Sequence, residues 1–329
     1  MPLFGRRSGT RVFYAADLHG SEPAWRKFVN AAGFYRADAL VFGGDLMGKA
    51  LVPIVRENGT ARASRDRRVV ELESEAARKA FARSVETTGH YWREMDAEEY
   101  GALRRDPLLV EGVMQDLARE RLRAWIAFAE ERLAGTGVRV YLTGGNDDAP
   151  AVLDVLTERE SDRVVACEDR VVDLDGVHTM ITVGLSTPTP WDTPREASEA
   201  EIAAAIRRSA ETVPDPSRCV FNLHCPPKDS ILDRCLKLER GGPGELPKPV
   251  REAGRFVTTG GGSVAVRDAI RGYQPAVSLH GHIHESPGRL RIGRTRCFNP
   301  GSEYGQGRLE GVLVQLSDGR VTAFQHTSG

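Results

Sequence analysis

The stretch RVFYAADLHGSEPAWRKFVNAAGFYRADALVFGGD, residues 11–45, decides the fold class. Residues 11–16 are mostly apolar and read as a strand buried on both faces. They stop at Asp17-Leu18-His19-Gly20. A helix begins near Ser21, with Pro23 just inside it, where a missing N–H costs little. Trp25, Phe28, Val29 and Ala32 keep one face of that helix apolar. Residues 38–42, DALVF, read as a second buried strand that ends at Gly43-Gly44-Asp45. This is a βαβ opening with polar residues at both strand ends. Open α/β sheets bind ligands beyond the carboxyl ends of their strands.

Downstream of Asp45 the pattern changes. Over residues 46–137 the reading is an insertion or cap on the main sheet. Residues 51–55 and 68–72 are expected to pair as strands around a polar turn near Asn58-Gly59. Two helices are expected to follow, one over 73–86 and one over 106–133. Asp106 sits as a cap before Pro107, and Gly135 stops the second helix.

The strand pattern then resumes. Residues 138–142 lead into Thr143-Gly144-Gly145-Asn146-Asp147-Asp148. Short strands are expected at 163–167, 170–174 and 177–183. A helix over 198–209 opens with a capping box, Ser198 with Glu201. Residues 220–223 form a strand that delivers His224. A helix over 263–271 precedes a strand over 276–280, which delivers Gly281-His282-Ile283-His284. The end, 288–325, reads as β-rich. The Gly/Pro-rich piece 241–249 reads as an exposed loop.

The composition is that of a globular chain. Its 329 residues are 40% hydrophobic, with a net charge of −1. No run of about 18 apolar residues exists to cross a membrane. Residues 1–10 contain Arg6 and Arg7 but no apolar stretch, so they do not read as a secretory signal. The cysteines, Cys167, Cys219, Cys225, Cys235 and Cys297, are odd in number and form no CxxC pair. That pattern fits reduced thiols and a cytoplasmic protein. The balanced charge gives no support to a nucleic-acid partner.

Five strand-like runs thus end in polar clusters: DLHG, GGD, GGND, LHC and GHIH. In order along one chain they offer two Asp, one Asn and four His, ligands suited to divalent first-row metals. In this order they resemble the calcineurin-like metallophosphoesterases, whose pattern is D-x-H, GD, GNH, H and GHxH. Further stretches are similar to the branch called Icc-related predicted phosphoesterases: LVPIVR at 51–56, STPTPWDTP at 186–194, HCPPKDSILD at 224–233, and GHIHES with NPGSEY between 281 and 304.

The resemblance implies a four-layer α/β sandwich of two mixed sheets flanked by helices, in one domain over 1–329, with 46–137 as a wall or lid. It implies two divalent ions, drawn from Mn, Fe, Zn, Ni or Mg. Asp17, His19 and His284 would hold one ion, and Asn146, His224 and His282 the other, with Asp45 between them. The activity implied is hydrolysis of a small phosphoester, with a nucleotide among the candidates and a diester favoured over a monoester. His224 would serve chemistry as well as ligation.

One position departs from the family. The His that follows the Asn in the family motif is Asp147 here. Three readings stay open for it: a general acid of raised pKa, a group that binds a substrate amine or cation, or a cap for a helix starting near Pro150. His280 lies outside the family pattern and reads as structural. His90, His178 and His326 have no motif around them, and Cys225 reads as a buried small thiol. The loop Asn299-Pro300-Gly301-Ser302 reads as a tight structural turn. Lys49 and Arg56 are candidates to reach a substrate from the insertion. Two rival functions are a non-catalytic scaffold on the same fold, disfavoured because every ligand position is filled, and a nuclease.

Overall fold

The computed structural model describes residues 9–57, 59–65, 68–242 and 245–329. The chain opens with β1 (Thr10–Ala15), α1 (Glu22–Tyr35) and β2 (Ala39–Phe42). β1 and β2 are parallel neighbours, with Val12 opposite Ala39. Their side chains alternate between two cores, as pleated strands require. Phe13, Ala15, Leu40 and Phe42 pack against α1, whereas Val12, Tyr14, Ala39 and Val41 face the opposite way.

An excursion follows: β3 (Leu51–Glu57), β4 (Thr60–Arg65), β5 (Arg68–Glu71), α2 (Glu75–Thr87), β6 (Tyr91–Asp96) and α3 (Ala97–Arg105). Its four strands form a sheet in the order β5-β4-β3-β6. Ile54, Ala61, Ala63 and Leu72 give it a small core of its own. The pairing differs from the sequence expectation. Residues 51–57 pair with 60–65, which then pair with 68–71, so an unforeseen strand lies between the two expected partners. Alternating Ala and polar residues in TARASR carry too little apolar signal to announce that strand. Asn58 of the expected turn lies outside the described residues, as do 1–8, 66–67 and 243–244.

α4 (Pro107–Arg132), within the block read as an insertion or cap on the main sheet, packs on that sheet. Its buried residues Ala118, Leu122, Trp125, Ile126 and Ala129 belong to the core shared by α1 and the first sheet. Trp25 and Trp125 stack at 4.9 Å and 5° between the two helices. Residues 51–105 are thus the separately cored piece. Asp106 caps α4 as its sequence suggests, accepting from the amides of Leu108 and Leu109.

β7 (Arg139–Leu142), α5 (Pro150–Glu158) and β8 (Val164–Ala166) extend the first sheet. β9 (Val172–Asp173), β10 (Thr179–Val183), α6 (Glu199–Ala210) and β11 (Cys219–Leu223) begin the second. The capping box at Ser198 and Glu201 is present. Short strand pairs follow, on either side of the expected loop within 241–249, of which Lys248–Pro249 is strand. The strands are β12 (Arg234–Leu236), β13 (Leu238–Glu239), β14 (Lys248–Pro249), β15 (Arg251–Glu252), β16 (Arg255–Phe256) and β17 (Thr258–Gly260). α7 (Val264–Tyr273), β18 (Val277–Leu279), β19 (Gly288–Ile292), β20 (Thr295–Asn299), β21 (Glu310–Ser317) and β22 (Arg320–Ser328) complete the chain.

Two six-stranded mixed sheets result, in the orders β22-β21-β1-β2-β7-β8 and β19-β20-β18-β11-β10-β9. One core joins them face to face, with Val12, Tyr14 and Val41 meeting Val220, Leu279 and Phe298. Helices α1, α4 and α5 pack on the far side of the first sheet, and α6 and α7 on the far side of the second. No described helix is long and apolar enough to cross a membrane. The five cysteines are all free thiols.

Candidate metal centre

The carboxyl ends of β1, β2 and β7 in one sheet, and of β11 and β18 in the other, open at the same end of the molecule. The loops after β1 and β2 are zipped together there. Asp17, His19 and Gly20 donate their amides to the carbonyls of Gly44, Asp45 and Leu46 at 2.9, 3.0 and 2.7 Å. Asp148 ties the third loop to them. Its buried carboxylate accepts from the amides of Leu46, Met47 and Gly145 at 3.0, 2.8 and 2.8 Å.

Glycines beside the candidate ligands make room for them. A Cβ on Gly145 would lie 2.1 Å from Asp45 Oδ1, and one on Gly281 would lie 2.4 Å from Asp17 Oδ2. The GGND and GHIH glycines are therefore demanded by the carboxylates that approach their backbone. Asp17, His19, Asp45 and His282 have positive φ, at 58°, 41°, 59° and 68°. Four non-glycine residues in this sparsely populated region lie at one place, as they do where function fixes geometry.

The seven candidate residues converge. One donor atom from each of Asp17, His19, Asp45 and His284 lies within 4.8 Å of the others, and this largely buried cluster could hold a metal ion. His19 Nε2 and His284 Nε2 are 3.0 Å apart, and His284 Nε2 is 3.3 Å from Asp17 Oδ1. The Asp17 carboxylate also accepts from the His282 amide at 3.0 Å. On the other side, His224 Nδ1 is 2.8 Å from the Gly43 carbonyl and donates to it. Its Nε2 then faces Asn146 Oδ1 at 3.0 Å and Asp45 Oδ2 at 3.5 Å. The Asn146 amide group donates to Thr193 Oγ1 at 2.9 Å, which turns its oxygen toward His224. The His224 and His282 rings are 5.3 Å apart.

Asp45 stands between the two groups, its Oδ2 3.6 Å from His19 Nε2 and 3.5 Å from His224 Nε2. Ring nitrogens and acceptor oxygens thus face one another at short range. Such an arrangement needs protons or cations between them, and the N/O donor set suits a divalent metal. His19 Nδ1 has no hydrogen-bond partner among the described residues.

The charges follow. Burial disfavours charge on both Asp45 and His224, yet each holds the other ionised. The Asp45 carboxyl stays well below its ordinary range, and the His224 imidazole sits at about 9. Burial and the positive His224 push His282 down to about 4. Burial, then Lys49, holds His19 well below its usual value. Burial and the nearby Asp45 raise Asp148 to about 7, against the pull of its three amide donors.

Asp147 does not cap a helix. The residue preceding α5 is Ala149, with no side-chain cap. The Asp147 amide instead donates to Asp45 Oδ1 at 3.0 Å, and its carboxylate pairs with Lys49 Nζ at 2.5 Å. Burial and Asp45 raise its pKa while Lys49 opposes. Of the two insertion cations singled out in the sequence, Lys49 is here, whereas Arg56 pairs with Glu94 on the excursion.

His280 holds the neighbouring loop, its Nδ1 2.9 Å from the Leu223 carbonyl and 3.1 Å from that of Cys225. His178 bridges Asp175 and the Gly319 amide, away from the centre. Cys225 is buried, and burial pushes its thiol up to about 12, which leaves it a poor nucleophile. The Asn299 side chain accepts from Gly301 and donates to the Ile283 carbonyl, so that loop is the expected structural turn. Ser302 extends the turn to the centre, donating to the Asp17 carbonyl at 2.6 Å. Sequence reasoning missed Thr193, Asp148 and Tyr304. The Tyr304 ring lies 4.6 Å from that of His19.

No family model matches the chain, and no curated protein does. Solved structures share its fold over nearly the full length. One crystal structure aligns with a TM-score of 0.59 at 18% identity, covering 97% of this chain and 99% of its own. That of TT1561 of Thermus thermophilus aligns with a TM-score of 0.52 at 14% identity, covering 98% and 99%.

Proposed function

We propose that the chain is a metal-dependent phosphoesterase with the four-layer sandwich of the calcineurin-like family, and that it favours phosphate diesters. In this reading Asp17, His19 and His284 hold one divalent ion, Asn146, His224 and His282 hold a second, and Asp45 serves both. The observation that carries it is the Asp45 oxygen placed at nearly equal distance from His19 and His224, one from each ligand group. Two ions so held would supply an activated water nucleophile and neutralise the charge on the phosphoryl oxygens.

The protein's own part is placement. Asp148 and the amide zipper fix the three first-sheet loops, and the Gly43 carbonyl fixes the His224 tautomer. His224 has both ring nitrogens engaged, so it acts as a ligand here, without a free proton to shuttle. The preference for diesters rests on the similarity of residues 51–56, 186–194 and 224–233 to the Icc-related branch of that family.

Metal analysis of the purified chain and turnover of bis-p-nitrophenyl phosphate test the proposal, with Asp45→Asn as control. Two equivalents of metal and turnover lost in the variant are expected. A wild-type chain that binds no divalent metal and hydrolyses neither this diester nor p-nitrophenyl phosphate would refute it.

A further inference from the structure

We propose that Lys49 grips a non-bridging oxygen of the substrate's phosphoryl group, and that Asp147 holds the Lys49 ammonium in position for it. The inference rests on the phosphoesterase reading and adds to it a substrate-binding cation from outside the ligand motifs.

The cationic side chains around the centre differ in what they are free to do. Arg195 is spent on Glu168 and the Gly145 carbonyl. Arg121 donates to the carbonyls of Gly20 and His90. Lys228 donates to the Gly260 carbonyl. Among the described residues Lys49 has one ion-pair partner, Asp147, and its side chain is 44% exposed, so solvent and substrate reach it. An ammonium has three donors, and the Asp147 pair uses one. Lys49 can therefore keep Asp147 and bond a phosphoryl oxygen at once.

Its stem is anchored. The residues before it are fixed by Asp148 at Leu46 and Met47 and by Tyr91, whose hydroxyl accepts from the Gly48 amide at 3.0 Å. Asp147 is anchored too, through its amide on Asp45. The ion pair thus stands at a set place beside the ligands, with Asp147 Oδ2 3.6 Å from His19 Nδ1. A lone carboxylate at that place would repel any phosphate, whereas a carboxylate carrying an ammonium presents a net neutral pair with donors to spare.

The test uses the metal-loaded full chain and five proteins: wild type, Lys49→Met, Lys49→Arg, Asp147→Asn and the Lys49→Met/Asp147→Asn double variant. The readouts are kcat and KM for bis-p-nitrophenyl phosphate, inhibition by inorganic phosphate, and bound metal. Lys49→Met is expected to raise KM and weaken phosphate inhibition by about tenfold, the size of one charge-assisted hydrogen bond, with metal content unchanged. Lys49→Arg should recover part of the loss. The double variant should be no better than Lys49→Met.

Wild-type KM and phosphate inhibition in Lys49→Met would overturn the proposal. So would recovery in the double variant, because Lys49 would then only mask Asp147. Either result, with an active wild-type enzyme, leaves the phosphoesterase reading standing. A wild-type chain with no turnover and no phosphate binding removes both.

Discussion

The two sheets bring unlike chemistry to one end of the molecule. The first delivers Asp17, Asp45 and Asn146 from the ends of β1, β2 and β7, with His19 as its one imidazole. The second delivers only imidazoles, His224, His282 and His284, from β11 and β18. The first sheet's loops are bound to one another by backbone amides and the Asp148 clamp, whereas the second sheet's ligands are steadied from across the interface. The Gly43 carbonyl holds His224, and the Asp17 carboxylate accepts from the His282 amide. Asp17, His19 and Asp45 from one sheet and His284 from the other make the cluster that could hold a metal ion, so a cation bound there would couple to sheet-on-sheet packing.

The sharpest way to break this comparison is to remove the carboxylate that faces both groups. Asp45→Asn should drop diester turnover to background while circular dichroism stays native, since Asn tolerates the left-handed backbone there. Wild-type turnover in that variant would mean Asp45 is not shared. A smaller effect is expected from loosening the first sheet alone. Asp148→Ala strands three buried amides and should cost roughly 3 kcal/mol in chemical denaturation. A cost below about 1 kcal/mol would show that the clamp is not what binds those loops.

Coupling between the sheets is read by heating. Saturating Mn²⁺ at about a hundredfold above Kd should stabilise the chain by about 2.7 kcal/mol for each ion bound, seen as a raised Tm, and His284→Ala should diminish the gain. The smallest effect separates the sheets by charge. At neutral pH the His224 imidazole, at about 9, must lose its proton to bind a cation, while the Asp45 carboxylate is already ionised. Its folded-state pKa is raised, so the proton competes most at low pH. Apparent metal affinity should rise about tenfold per pH unit toward 9 by titration calorimetry. A flat profile between neutral pH and that value would locate no proton on the second sheet's ligands.

Much of the centre was legible because chemistry and fold share a signal. Each buried apolar run stops at a polar cluster, and the glycines there are forced by neighbouring carboxylates, as at Gly145 and Gly281. Asp147 and Asp148 show where that ends. They are adjacent acids after one motif, yet one pairs with Lys49 from a distant loop and the other accepts three amides. Which does which depends on backbone direction, which no spacing reveals. The excursion was read poorly for another reason. Its strand Thr60–Arg65 buries only two alanines, too little apolar mass to mark a strand. The helical period of α4 is the same whether it packs on the excursion or on the sandwich, so spacing alone does not choose between them.

The left-handed conformations of Asp17, His19, Asp45 and His282 carry a consequence for the protein's history. A glycine at any of them would relax the chain, at roughly 1 kcal/mol or more apiece, yet would erase a side chain the centre requires. Selection for sturdiness and selection for chemistry therefore oppose each other at four adjoining points. A descendant without the proposed activity would be free to drift there, and glycine at these positions would be the mark of that loss.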